Sequence, residues 1–295
     1  MTISADLAMD VLQPSTLDEA LEMRRDLPDA VVICGGTDLM VAMNFGRLRP
    51  AAMMDISRVD EMKQWRQEDG SIFLGAGVTY SRIMRELGTF ASLAQASRTV
   101  GSPQIRNRGT VGGNLGTSSP AGDALPVLAA YEAEIVLVSG RGERALPWDR
   151  FLVGPKRNAL EPDELILGAR WDISRGPESF SKIGTRNAMV IAVANLCLVV
   201  DEPARSVRVA LGSVGPTIIR AREAEAAATE VIPWDDPSAP IAEAATEGFA
   251  QLVARAARPI DDVRGSQAYR SHACRVLARR ALSWALEEHR MDGGS

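Results

Sequence analysis

The chain has 295 residues, of which 46% are hydrophobic and 24% charged, a balance typical of a globular protein with a packed core. At roughly 100–200 residues per domain, this length predicts about two domains. Lysine and arginine number 33 against 38 for aspartate and glutamate, and the resulting net charge of −5 excludes a strongly basic nucleic-acid-binding domain.

Cysteine and histidine are both scarce. The three cysteines, Cys34, Cys197 and Cys274, include no C-x-x-C pair, whereas an iron–sulfur cluster held by cysteine alone needs four thiolates. The odd count also argues against a disulfide framework and favours a reducing cytoplasm. His272 and His289 are the only histidines, too few for a histidine-rich metal site or a histidine-centred triad in the body of the chain. We therefore predict no metal ligand and no catalytic residue, and expect the chemistry to come from a cofactor.

Neither the N-terminal segment nor the longest apolar run predicts membrane insertion. The sequence MTISADLAMD lacks a basic segment followed by an apolar one, so it does not resemble a secretory signal. The longest apolar run, residues 188–200, spans 13 residues and is interrupted by Asn195, whereas a membrane span needs about 20. We interpret this run as a buried strand and expect a soluble, cytoplasmic protein.

The first predicted elements are a helix, a strand and a second helix. Residues 16–19 (TLDE) have the form of a capping box that starts a helix, which Pro28 ends. The apolar, β-branched run 30–34 (AVVIC) is typical of a buried strand. Gly35 and Gly36 break the strand, and Thr37 with Asp38 can cap a helix over 39–44.

The remaining pattern predicts an α+β fold. Up to residue 173 we expect strands over 71–74, 133–139 and 164–173 and helices over 79–87 and 93–100. Residues 179–215 are rich in strands with a turn at 201–204, and from Ile219 onward the composition becomes helical, with a proline-rich loop at 232–240. The change in composition near 175–177 is our predicted domain boundary.

Two glycine loops are candidate phosphate-binding sites. Residues 34–38 (CGGTD) lie between a strand and a helix, and residues 110–114 (TVGGN) follow Arg106 and Arg108. Glycine lets the backbone approach a ligand closely, and successive amide N–H groups at a helix start bind anions. Either loop alone fits an ordinary turn. Two such loops in one chain indicate a dinucleotide pyrophosphate as readily as they indicate two turns.

A third glycine segment is interpreted as structural. Residues 75–80 (GAGVTY) resemble the start of a Rossmann fingerprint, but Tyr80 occupies the third glycine position and the chain lacks regular βαβ alternation. No G-x-x-x-x-G-K-[ST] sequence occurs, which excludes a P-loop nucleotidase.

Four passages resemble the FAD-binding (medium) subunit of the molybdenum hydroxylases, the family of xanthine dehydrogenase and carbon monoxide dehydrogenase. They are residues 33–39 (ICGGTDL), 104–115 (QIRNRGTVGGNL) completed by 119–123 (SPAGD), 182–186 (KIGTR), and 262–266 (DVRGS) followed by Tyr269 and Arg270. In order and spacing they cover nearly the whole chain. The family's first loop is usually A-G-G-T-D-L, so Cys34 is a departure, although the backbone does the binding there.

The resemblance implies the domain organisation. Residues 1–176 are expected to form an FAD-binding domain of the PCMH or vanillyl-alcohol-oxidase type, with two lobes at about 1–57 and 58–176. A C-terminal α+β domain of the carbon monoxide dehydrogenase flavoprotein type is expected over 177–290, packed over the flavin, with 291–295 as a tail.

The resemblance also implies which residues contact FAD. Carried over position by position, they are Val32, Ile33, Cys34, Gly35, Gly36, Thr37, Asp38, Leu39, Val100, Thr110, Val111, Gly112, Gly113, Asn114, Asp123, Ile166 and Lys182. Val100 and Ile166 fit ordinary core positions equally well, and Asn114 and Asp123 could each serve a turn. A cation at Lys182 would stabilise the anionic reduced flavin by Coulomb attraction. Arg106 and Arg108 could reach phosphate or bridge to acidic groups at a subunit interface.

The implied function is electron transfer within a larger complex. A large partner subunit with a molybdopterin-type molybdenum cofactor would hydroxylate the substrate, and a small subunit with two [2Fe–2S] clusters would pass electrons singly to FAD in this chain. From there they would go to NAD or another acceptor, in a dimer of heterotrimers acting on a purine, an N-heterocycle or an aldehyde. The alternatives are a carbon monoxide dehydrogenase medium subunit, a self-sufficient flavin oxidoreductase of the same fold, and an assembly subunit that has lost FAD.

Overall fold

The first lobe is a small unit of three parallel strands and two helices. In this computed structural model, which describes residues 9–236 and 239–292, the lobe contains β1 (Asp10–Leu12), α1 (Leu17–Asp26), β2 (Val31–Ile33), α2 (Leu39–Asn44) and β3 (Ala52–Asp55). The sheet order is β1-β3-β2. Thr16 caps α1 by accepting the amide N–H of Glu19 at 3.2 Å, as the TLDE pattern predicts.

The second lobe is built on a five-stranded antiparallel sheet of order β4-β5-β10-β6-β7. Its strands are β4 (Trp65–Glu68), β5 (Ser71–Gly75), β6 (Glu134–Ser139), β7 (Gly142–Pro147), the short pair β8 (Leu152–Gly154) and β9 (Arg157–Asn158), and β10 (Leu165–Asp172). Its helices are α3 (Tyr80–Glu86), α4 (Ala91–Thr99), α5 (Pro103–Arg108), α6 (Val111–Thr117), α7 (Ala124–Ala130) and α8 (Trp148–Phe151), and a 3-10 turn spans Asp60–Lys63. Every residue of α7 is buried, so this helix lies at the centre of the lobe.

The C-terminal domain is a four-stranded antiparallel sheet covered by three helices. The strands β11 (Glu178–Ile183), β12 (Ala194–Asp201), β13 (Ser206–Gly212) and β14 (Ile219–Arg220) follow one another across the sheet. The helices are α9 (Arg222–Val231), α10 (Glu243–Ala256) and α11 (Gln267–Asp292).

Strand β12 is buried on both faces, which explains the long apolar run in the sequence. Side chains alternate across a strand, so Leu196 and Leu198 pack against the helices of the C-terminal domain while Cys197 and Val199 join the core of the second lobe. The strand begins at Ala194, and residues 184–193 before it form an irregular loop. Among residues 9–236 and 239–292, none of the helices combines the length and apolar character that crossing a bilayer requires.

The α+β fold is as predicted, with two local differences. The helices α5, α6 and α7 were not expected. For α6 the reason is composition, because glycine disfavours helices and three of its seven residues are glycines. The expected tail is shorter, since Met291 and Asp292 end α11 and residues 293–295 lie outside the described part of the chain. The predicted boundary near 175–177 falls in the connection between β10 and β11.

The GAGVTY segment is a tight turn between β5 and α3. A Cβ atom on Gly75 would clash with the carbonyl oxygen of Met62 and lie 2.5 Å from that of Gln64. The amide N–H of Gly77 donates to the same Met62 oxygen at 2.7 Å. Both glycines therefore let the end of β5 pack against the 3-10 turn, which supports the structural interpretation of this segment.

We predict that Gly75→Ala lowers the free energy of unfolding by about 1–3 kcal/mol, the usual cost of inserting a methyl group into a packed site. The matched control is Gly248→Ala in α10, where no atom lies within 4 Å of the added Cβ and a helical alanine should stabilise by about 0.5–1 kcal/mol. Urea unfolding of the two variants measures both changes. Equal stability of Gly75→Ala and the unmodified protein would contradict the packing argument.

Candidate functional site

A cleft of about 1670 Å³ lies where the two lobes and the C-terminal domain meet. Residues 31–39 line it from the first lobe, most of 109–114 from the second lobe, and Lys182 with 189–192 from the C-terminal domain. Pockets for drug-sized ligands measure about 300–1,000 Å³. The cleft is therefore large enough for a dinucleotide.

The first glycine loop connects β2 to α2 along one wall of the cleft. Gly36 has φ +75°, in the left-handed region that glycine tolerates. Asp38 stands at the N-cap of α2, but its carboxylate makes no capping hydrogen bond. Instead it accepts a hydrogen bond from the hydroxyl of Thr117 in α6 at 3.0 Å, so Asp38 ties the first loop to the second lobe.

The second glycine loop opens α6 and rests on the GAGVTY turn. The hydroxyl of Thr110 caps α6 by accepting the amide N–H of Gly113 at 3.0 Å. Gly112 donates its amide N–H to the carbonyl oxygen of Ala76 at 3.0 Å, and a Cβ on Gly112 would lie 2.6 Å from that oxygen. A side chain here would push the loop off its support.

The first loop touches the backbone immediately before the second loop. A Cβ atom on Gly35 would clash with the carbonyl oxygen of Arg108 and lie 3.2 Å from the Cα of Gly109. Only glycine permits this approach, which places both loops on the same cleft.

A buried ion pair joins the two domains beside the cleft. The ammonium of Lys182, on β11, lies 2.5 Å from a carboxylate oxygen of Asp123, and the two side chains are 7% and 6% exposed. Lys182 also donates to the carbonyl oxygen of Thr99 at 3.2 Å, and Thr99 donates its hydroxyl to Asp123. The other oxygen of Asp123 accepts a hydrogen bond from Asn195 at 3.0 Å. Both carboxylate oxygens are thus bonded within the protein.

The charge of Asp123 depends on these partners. Burial raises the pKa of the Asp123 carboxyl, and the charge of Lys182 together with hydrogen bonds from Lys182, Asn195 and Thr99 offsets part of that rise. Removing the cation would leave the carboxyl buried without a counter-charge, which favours its protonation.

Apart from Val111, every residue predicted to contact a cofactor lines this cleft. Val111 is 1% exposed and packs into the core beneath α6. Val100 and Ile166 line the wall of the cleft and also pack on the core of the second lobe.

Neither Arg106 nor Arg108 lines the cleft. Arg106 donates to the carbonyl oxygens of Arg98, Val100 and Gly101 at 3.0–3.2 Å, where α4 ends. A cation there satisfies helix carbonyls that have no partner within the helix. The guanidinium of Arg108 makes one long contact of 3.5 Å to the carbonyl oxygen of Cys34.

Cys34 is half-buried in the cleft wall. Burial raises the pKa of its thiol, with smaller opposing contributions from Thr110 and Arg108. The thiol is therefore protonated at neutral pH, and a protonated thiol is a poor nucleophile.

The motif DVRGS with Tyr269 and Arg270 positions loops beside the cleft. Arg270 is 3% exposed and donates to the carbonyl oxygens of Val193 and Ser213 at 2.8 and 2.6 Å. It is held by the carboxylate of Asp262 at 2.6 Å. One buried guanidinium thus fixes the ends of two loops of the C-terminal domain.

Four buried polar atoms in the cleft residues have no hydrogen-bond partner in the described part of the chain. They are the Nε of Arg24, the Tyr80 hydroxyl, the side-chain oxygen of Asn114 and the Ser213 hydroxyl. Each such atom costs about 1–3 kcal/mol, so a polar ligand in the cleft would stabilise this arrangement. These polar atoms and the glycine cradle fit a dinucleotide. Sequence reasoning missed Tyr80, which lies in the segment interpreted as structural, and Ser213, for which no local signal exists.

Comparison with known proteins identifies the family. Residues 7–170 match the FAD binding domain in molybdopterin dehydrogenase, and residues 179–285 match the CO dehydrogenase flavoprotein C-terminal domain. The chain is similar to the nicotinate dehydrogenase FAD-subunit of Eubacterium barkeri, with 37% identity over 61% of this chain and 64% of that one. It is 33% identical to caffeine dehydrogenase subunit beta of Pseudomonas sp. (strain CBB1), over 72% and 75% of the two chains.

Solved structures share the whole architecture. A chain of carbon monoxide dehydrogenase from Hydrogenophaga pseudoflava superposes with a TM-score of 0.85 at 26% identity, covering 95% of this chain and 98% of that chain. Quinoline 2-oxidoreductase from Pseudomonas putida 86 has the same fold, with a TM-score of 0.84, 23% identity and coverage of 96% and 98%. Since the first domain match spans more than half of the sequence, the chain belongs to the FAD-binding flavoprotein subunits of the molybdenum hydroxylase family of oxidoreductases.

Proposed function

We propose that this chain is the electron-output subunit of a molybdenum hydroxylase, with FAD in the cleft between its lobes and its C-terminal domain. Bound FAD supplies the redox chemistry, because a flavin accepts electrons singly and releases them in pairs. The observation that carries the proposal is the contact of Gly35 with the backbone of Arg108 and Gly109, which brings two glycine loops to one dinucleotide-sized cleft.

The protein's part is to bind and orient the cofactor. The backbones of 32–39 and 110–114 would enclose the pyrophosphate and the adjoining ribityl chain, with Val100 and Ile166 as apolar walls. Asp123 would contribute to the site indirectly, by holding the ammonium of Lys182 in place. Its own two carboxylate oxygens already accept hydrogen bonds from Lys182 and Asn195. No general acid, base or nucleophile is needed from this chain.

Lys182 would tune the cofactor. Its cation is fixed by Asp123 and the Thr99 carbonyl rather than being free to move. A fixed positive charge beside the flavin would favour the anionic reduced form, and the carboxylate 2.5 Å away would weaken that field.

The rest of the electron path would lie in partner subunits. We infer a large subunit with a molybdopterin-type molybdenum cofactor, a small subunit with two [2Fe–2S] clusters that delivers electrons singly, and NAD or another acceptor, in a dimer of heterotrimers. The three cysteines here are free and too few to hold a cluster by themselves, which supports placing the clusters elsewhere and a reducing, cytoplasmic compartment.

The substrate class we favour is an N-heterocycle, including purines, ahead of an aldehyde. Two relatives above 30% identity are named as dehydrogenases of nicotinate and caffeine, both N-heterocycles. Carbon monoxide is the second candidate, because the carbon monoxide dehydrogenase medium chain of Hydrogenophaga pseudoflava is 28% identical over 92% of this chain.

A self-sufficient flavin oxidoreductase is the less favoured alternative. Many such enzymes of this fold attach FAD covalently through histidine or cysteine. Both histidines of this chain lie on α11, and the only cysteine at the cleft is Cys34, whose raised pKa opposes nucleophilic attack. An assembly subunit without FAD is disfavoured by the intact glycine cradle.

The proposal predicts the composition of the native complex. Purification through a tag on this chain should recover two partner subunits with molybdenum and iron, a flavin absorbance spectrum, and FAD that is released on denaturation. Reduction of the flavin by nicotinate, xanthine or carbon monoxide would then separate the substrate classes. A lone chain with flavin that turns over substrate by itself would contradict the role as an electron-output subunit.

We predict that Gly35→Ala separates the two loops and weakens FAD binding by at least about tenfold, because the added methyl group overlaps the Arg108 carbonyl. Gly116→Ala is the matched control at the same cleft, since its Cβ would meet only Ile166 at an ordinary 3.8 Å. Fluorescence titration of apoprotein with FAD measures both affinities. Equal weakening by the two substitutions would show that the loop contact is not the cause.

We predict that Lys182→Met lowers the flavin reduction potential by about 30 mV, the equivalent of a tenfold change for a two-electron couple, or weakens FAD binding. Lys156→Met removes a second cleft lysine, one that is exposed to solvent, and should change the potential little. Potentiometric titration and the FAD dissociation constant provide the readouts. If both stay unchanged in Lys182→Met, the tuning role is wrong.

A further inference from the structure

The three tyrosines of the chain have different surroundings. Tyr269 is 48% exposed on α11. Tyr131 is buried, and its hydroxyl bonds to the Glu178 carboxylate at 3.0 Å and to the Ser92 hydroxyl at 2.9 Å. Tyr80 is 3% exposed, and its hydroxyl has no hydrogen-bond partner in the described part of the chain. Tyr80 alone of the three lines the cleft.

The position of Tyr80 is fixed by the second glycine loop. Its amide N–H donates to the carbonyl oxygen of Gly109 at 3.1 Å, and Thr79 pairs with Thr110 in an isolated antiparallel bridge. A Cβ on Gly109 would lie 3.3 Å from the Tyr80 ring, so the ring packs directly beneath the loop. The phenol therefore cannot shift without moving the loop that would enclose the cofactor.

The electrostatics make the Tyr80 hydroxyl a donor. Burial raises the pKa of Tyr80, and the carboxylates of Asp123 and Asp38 raise it further. The phenol therefore stays protonated and has a proton to donate. Asp38 is engaged by Thr117, and Asp123 by Lys182, Asn195 and Thr99, and neither accepts from Tyr80.

We propose that the Tyr80 hydroxyl donates a hydrogen bond to an oxygen atom in the phosphate–ribityl part of the bound dinucleotide, an inference that rests on the proposed function. The ligand chemistry follows from the surroundings, because the Tyr80 ring packs against Gly109, next to the glycine loop that opens α6. The pyrophosphate and ribityl chain that this loop would enclose carry phosphate and hydroxyl oxygens as acceptors. Tyr80 is then a cofactor-binding residue supplied by the GAGVTY turn, in addition to the turn's structural role.

The test compares two tyrosine-to-phenylalanine substitutions in the full-length chain. Tyr80→Phe removes one buried oxygen that has no partner without cofactor, so the thermal midpoint of the apoprotein should rise rather than fall. The dissociation constant for FAD should rise about tenfold, equivalent to about 1.4 kcal/mol. Tyr131→Phe removes an oxygen bonded within the protein and outside the cleft. It should lower the apoprotein midpoint and leave FAD affinity unchanged.

Each outcome has a distinct meaning. An FAD affinity of Tyr80→Phe within twofold of the unmodified protein would overturn the inference while leaving the proposed function intact. A drop in the apoprotein midpoint like that of Tyr131→Phe would also overturn it, because the hydroxyl would then have a partner inside the protein. If the unmodified chain binds no FAD, the proposed function fails, and this inference fails with it.

Discussion

The pairing of Asp123 with Lys182 is the interaction on which the arrangement of the cleft depends. Removing two charges from water costs several kcal/mol per ion, and the pair is tolerated because Thr99 and Asn195 satisfy the remaining hydrogen-bonding capacity. Such a pair adds little net stability. It does join the two domains at a defined place, because Lys182 and Asn195 belong to the C-terminal domain while Asp123 and Thr99 belong to the second lobe.

The glycines of the two loops provide the second constraint on the cleft, because they have no side chains and let backbone segments pack closely. At Gly35 the first loop lies against the backbone of Arg108, and at Gly112 the second loop lies against Ala76. The first loop therefore packs on the backbone just before the second loop, and the second loop packs on the GAGVTY turn. Tyr80, at the end of that turn, packs its ring against Gly109, just before the second loop. A binding surface made of backbone depends on this support, because the backbone groups have to point at the ligand before it arrives.

Local sequence patterns predicted much of the secondary structure. The capping box at Thr16, the strand at Val31–Ile33 and the helix at Leu39–Asn44 are set by short-range signals, and the structure has them where the sequence predicts them. Helix α6 was missed because three of its seven residues are glycines, which lower helix propensity, and packing overrides that preference. The α+β class was correct, since alternating short strands and helices require no knowledge of which strands pair.

The sequence by itself determined the family, the two glycine loops and the scarcity of metal ligands, because these depend on residue type and spacing alone. Only the tertiary structure decided how the loops are used. The sequence left Arg106 open between phosphate and an acidic group at a subunit interface, and in the structure it caps α4. Asp123 has both carboxylate oxygens bonded to protein groups. Tyr80 looked like a reason to dismiss its segment, yet it lines the cleft with an unpaired hydroxyl. Such roles depend on which atoms remain without partners after folding, and residues far apart in sequence decide that.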